Sequence, residues 1–70
     1  MFSGYSCWIE GVDEQLMPQF PFAWMARAYA VYASNRNRDH KVRITCWQGP
    51  DQPQCLYATY LNGKEVNPLL

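Results

Sequence analysis

The chain has 70 residues, eleven of them aromatic, with 49% hydrophobic content and six basic side chains balancing six acidic ones. That length makes a single domain, 1–70, with one small core that buries only about 60% of the unfolded surface. The hydrophobic content excludes a disordered chain, and the zero net charge excludes bulk attraction to nucleic acid or an anionic membrane.

Tyr5-Ser6-Cys7-Trp8-Ile9-Glu10 alternates and is rich in aromatics, which predicts a strand with Tyr5, Cys7 and Ile9 on the core side. Gly11 to Phe20 reads as a loop, punctuated by Gly11 and Pro18. Pro21 suits a first helical turn, and a helix is expected over 21–34. That helix has almost no polar face, and Arg27 is its only charge. At 3.6 residues per turn, Phe22, Met25, Ala26, Tyr29, Tyr32 and Ala33 form one apolar stripe, the expected core face. Trp24 and Val31 point the other way.

Residues 35–40 read as a polar exit loop whose bases complement the helix dipole. Lys41 to Trp47 is the clearest strand, with Val42, Ile44 and Cys46 on one face and Arg43, Thr45 and Trp47 on the other. A Gly-Pro turn at 48–53 leads to a returning strand, 54–61, paired with 41–47. Asn62-Gly63 signals a two-residue hairpin, with 64–66 as a short last strand that Pro68 ends. The fold class is therefore α+β. The order is β-α-β-β with a short further strand, and the one helix packs on one face of a small antiparallel sheet.

Cys7, Cys46, Cys55 and His40 together offer the donor types of a Cys3His zinc site. The chain has no C-x-x-C knuckle, and eight residues separate Cys46 from Cys55, so the reading is no metal. An odd number of cysteines argues against a disulfide framework and predicts three reduced core thiols. His40 sits beside Asp39 in the polar loop, where an exposed histidine is the ordinary outcome. Glu10, Asp13 and Glu14 have no apolar pocket to raise a pKa, and the scattered glycines make no phosphate loop. No catalytic residue and no cofactor is assigned, and the chain is read as a non-enzyme.

Two surfaces remain as binding candidates. One core cannot bury both sides of the helix, so Trp24 and Val31 are candidate anchors for another protein, with Arg27 between them to meet a carboxylate at the rim. The bases Arg36, Arg38, Lys41 and Arg43, set against the single acid Asp39, either form a solvated loop or steer an encounter. The alternative surface is the bare sheet face, where Trp8 and Trp47 beside Arg43 would offer stacking platforms to single-stranded nucleic acid. The zero net charge counts against nucleic acid. A structural homodimer would use the same helix face.

The layout, the length and the closing Tyr-Leu-Asn-Gly-Lys-Glu-Val hairpin resemble small phage-encoded anti-host proteins, the anti-CRISPR proteins among them. The likeness covers most of the chain but has no signature motif, so it carries no residue role. It implies a stoichiometric inhibitor that occludes a host protein machine, such as a nucleic-acid-handling complex. Met1 is followed by polar and aromatic residues rather than a basic start and an apolar core. No run of about eighteen apolar residues occurs, so no membrane association is expected. The expected location is cytoplasmic, the host cytoplasm for a phage-encoded chain.

Overall fold

Alternation along the strands decides the architecture. In the computed structural model Val42 and Ile44 have no exposed surface, while Arg43 and Thr45 between and beyond them are only half-buried. The structure describes residues 4–12, 18–49 and 53–67. The acids Asp13 and Glu14, residues 50–52 of the expected turn, and Pro68 lie outside the described residues.

The elements are β1 (Gly4–Ile9), β2 (Gln19–Phe20), α1 (Ala23–Arg36), β3 (Val42–Trp47), β4 (Cys55–Leu61) and β5 (Lys64–Val66). All five strands join one antiparallel sheet in the order β2-β1-β3-β4-β5. β1 and β3 align from Gly4↔Trp47 to Ile9↔Val42, so Tyr5, Cys7, Ile9, Val42, Ile44 and Cys46 share the face expected of them. β2 and β3 both run antiparallel to β1, and α1 bridges them across one face of the sheet. The α+β fold and the pairing of 42–47 with 55–61 are as the sequence predicts.

The short strand β2 is an addition to that reading. It pairs through only two positions, Tyr5↔Phe20 and Ser6↔Gln19, and sits between Pro18 and Pro21. Two residues are too few for any periodicity to register. Pro21 also lies outside the helix. Phe22 is extended at φ −126°, ψ 144° and is the N-cap, so helical geometry begins at Ala23.

The β3–β4 register shifts between Ile44 and Thr45, where Ala58 and Leu56 are successive partners and Tyr57 is the extra residue. This bulge puts Tyr57 on the helix side, in edge contact with Tyr5 at 5.2 Å between ring centroids. At the β4–β5 turn Asn62 and Gly63 have φ of 53° and 85°, the twist a two-residue hairpin needs. Gly63 N donates to Ser34 Oγ at 2.8 Å, and Asp39 N donates to Asn62 Oδ1 at 2.8 Å. The turn is thereby fastened to the end of α1.

The buried apolar residues are Cys7, Val42, Ile44, Ala58 and Tyr60 from the sheet and Ala26, Ala30 and Ala33 from the helix. Each branched side chain fully buried here contributes about 1.5–3 kcal/mol. The inner face of α1 is therefore built of small residues, completed by the buried Ser34. The expected core stripe is corrected by about a quarter-turn. Ala26 and Ala33 are in the core, Met25 and Tyr29 flank it half-buried, and Phe22 and Tyr32 are exposed. The physical reason is room: Tyr60, Val42 and Ile44 already fill the space between the layers, and only methyl groups let the helix come down onto them.

Candidate functional site: the outer face of the helix

With alanines turned inward, Trp24 and Tyr32 of α1 and the N-cap Phe22 face water, while Tyr29 stays half-buried. Trp24 is 67% exposed, Phe22 58%, Tyr32 56% and Val31 38%. Trp24, Ala28, Val31, Tyr32 and Asn35 recur at the spacing of one helix face, and Trp24 and Tyr32 lie about 12 Å apart along the axis. The Tyr32 ring is braced from the side. Phe20 of β2 meets Tyr29 at 5.6 Å between centroids, Tyr29 meets Tyr32 at 6.2 Å, and the Arg36 guanidinium lies 5.7 Å from the Tyr32 ring centre. Such bracing reduces the rotamer freedom lost when a partner covers the surface.

The sequence-predicted site residues divide. Trp24 and Val31 are exposed on this face, with Arg36 and Arg38 exposed at its C-terminal end. Arg27 is not a rim residue. It points along the sheet side of α1, where Nη1 donates to Glu65 Oε1 at 2.8 Å and to Tyr60 Oη at 2.9 Å. Its guanidinium also sits 5.0 Å from the Tyr57 ring centre. Glu65 foremost, then Tyr57 and Tyr60, hold that charge more firmly than usual. The other bases do not make one patch. Lys41 precedes β3 and is half-buried, and Arg43 lies on the far side of the sheet opposite Trp8.

That far side holds the alternative surface. Trp8, Arg43, Thr45 and Trp47 do share a face, but both tryptophans are half-buried. Trp8 Nε1 donates to Thr45 Oγ1 at 2.7 Å, and Thr45 Oγ1 in turn donates to Gln54. Trp47 lies over Gly4 so closely that a Cβ there would stand 2.9 Å from its ring. These rings are laid down on the sheet rather than presented to solvent.

Tyr32 on this face and the N-cap Phe22 are the exposed rings that sequence reasoning placed in the core. The signal was Ala26-Ala30-Ala33, a small-residue face at helical spacing that leaves the rings the opposite side.

The four zinc-type donors are not brought together. His40 lies at the Ile9–Val42 end of the sheet, with Nδ1 3.9 Å from Glu10 Oε1, whereas Cys46 and Cys55 are partners at the other end. Only Cys7 is a core thiol. Cys46 is half-buried and Cys55 exposed, which corrects the expectation of three buried ones, because the first three residues of β4 lie uncovered and burial begins only at Ala58. Among the described residues no cluster of three or more His, Cys, Asp or Glu could hold a metal, and no helix is long and apolar enough to cross a membrane. No protein-family model, curated protein or solved structure matches this chain.

Proposed function

We propose that the protein is a protein-binding module whose outer helix face docks a partner and occludes what it covers. The observation that carries this is the inversion of α1, with alanine inside and Trp24, Val31 and Tyr32 outside. Aromatic and arginine side chains on a braced surface are the usual anchors of an interface. Arg36 and Arg38 at the helix exit favour a partner surface that is acidic. The layout-level resemblance to small phage-encoded anti-host proteins supports reading the mode of action as inhibition of a host protein machine.

The test is a photo-crosslinking amino acid placed at Ala28, which is exposed between Trp24 and Tyr32 on the same face, with Trp47 as the control position on the other side of the sheet. The proposal expects a crosslinked partner protein from position 28 and none from 47. A crosslinked dimer of the chain itself would make the face a self-association surface. Tight oligonucleotide binding lost in Trp47→Ala or Arg43→Ala would move the site to the sheet.

A further inference from the structure

Cys46 and Cys55 are direct cross-strand partners at one end of the β3–β4 ladder, on the same face of the sheet. Directly opposed residues in an antiparallel pair have Cα atoms about 4.5–5.5 Å apart, inside the range of about 4.4–6.8 Å that a disulfide spans. Both are free thiols. Cys55 is exposed and Cys46 half-buried, and a pocket of about 200 Å³ opens beside them, lined by Cys46, Trp47, Gln48, Pro53 and Cys55. A small-molecule disulfide can therefore reach one sulfur while the other waits beside it. We propose that Cys46 and Cys55 form a cross-strand dithiol that closes to a disulfide by exchange with a small-molecule disulfide such as oxidised glutathione.

The exchange balances in two steps. The Cys55 thiolate attacks one sulfur of glutathione disulfide, forms a mixed disulfide and expels one glutathione thiolate. Cys46 then loses its proton to solvent, attacks the Cys55 sulfur and expels the second glutathione. Two protein thiols lose two electrons and two protons, and one glutathione disulfide becomes two glutathione thiols. The bond would close the 47–54 connection into a ring and pin the strand ends beside the Tyr57 bulge. Cys7 takes no part. It has no exposed surface, donates to Ala26 O at 3.6 Å, and burial pushes its thiol up to about 11.

The reduced full chain is equilibrated across ratios of reduced to oxidised glutathione, quenched in acid, denatured, alkylated, and read by intact mass and peptide mapping. The proposal expects a monomer lighter by two hydrogens, alkylated only at Cys7, with a linked Cys46–Cys55 peptide that dithiothreitol reverses. In Cys55→Ser the loss of two hydrogens disappears. Three alkylated cysteines at the oxidising end would overturn the proposal. So would a persistent glutathione adduct at Cys55 with Cys46 still free, or a covalent dimer through Cys55.

Discussion

The two faces of α1 differ in a way that reverses the usual order of burial. The inner face is Ala26, Ala30, Ala33 and Ser34, all at 1% exposure or less. The outer face carries Trp24 and Tyr32, both more than half exposed, although each has several times the apolar surface of an alanine. Transfer energy alone would place the rings inside. The sheet prevents it, because its own Tyr60, Val42, Ile44 and Cys7 occupy the interlayer space and leave the helix only a methyl-deep gap. The comparison teaches that in a one-helix domain the sheet chooses the helix face. A large residue that the sheet does not admit is left free for another purpose.

The comparison breaks most visibly if the inner face is enlarged. Ala30→Phe should cost about 3 kcal/mol or more, or prevent folding, as measured by urea denaturation. If the substitution is tolerated, the gap is not limiting and the argument from room fails.

The second effect lies directly beneath that face. Cys7 donates to Ala26 O, and its thiol is raised from 9.0 to about 11 by desolvation. The unfolded chain then releases this proton at lower pH than the folded one. The stability linked to Cys7 is complete below about pH 9 and is lost as pH rises toward about 11, by on the order of 2 kcal/mol. Wild-type stability should fall over that window more steeply than that of Cys7→Ala. Parallel profiles would show the thiol to be hydrated.

Next comes the clasp at the C-terminal end of the inner face. A Cβ at Gly63 would stand 2.5 Å from Asn35 Oδ1, and its φ of 85° disfavours any side chain. Gly63→Ala should destabilise by about 1–3 kcal/mol in thermal or urea melts. Asn35→Ala in the same background should recover part of that loss, because it removes the clash but not the backbone strain.

On the other face of the sheet, Thr59 is fully buried and its hydroxyl has no partner. Thr59→Val keeps the shape and removes an unpaired polar group, so it should stabilise by about 0.5–1 kcal/mol. A loss of stability would indicate a hydrogen bond to that hydroxyl.

Much of this was legible in the sequence, and the parts that were not have specific causes. Val42, Ile44 and Cys46 alternate cleanly, and Asn62-Gly63 admits little besides a tight hairpin, so β3, β4 and β5 could be read directly. β2 could not, since an edge strand of two residues has no pattern. The helix was legible but its orientation was not, because a stripe weighted by hydrophobicity follows Phe22, Tyr29 and Tyr32 rather than the alanines. Trp24 and Val31 were found because they lie outside under either orientation. The partner of Arg27 was hidden for another reason. Glu65 is brought to it only by the β4–β5 hairpin, and no local spacing announces a contact of that range.

The most direct test of the central claim removes the outer rings and leaves the inner face alone. The double variant Trp24→Ala, Tyr32→Ala should change stability by no more than about 0.5 kcal/mol, a shift of roughly 2–4 °C in Tm. The same protein should lose the partner captured by crosslinking from position 28, with Trp24 alone accounting for about thirtyfold to a thousandfold in affinity. Wild-type melting with binding abolished is the result this account predicts. A collapse of Tm would return the rings to the fold, and full binding by the well-folded double variant would contradict the assignment of the outer face.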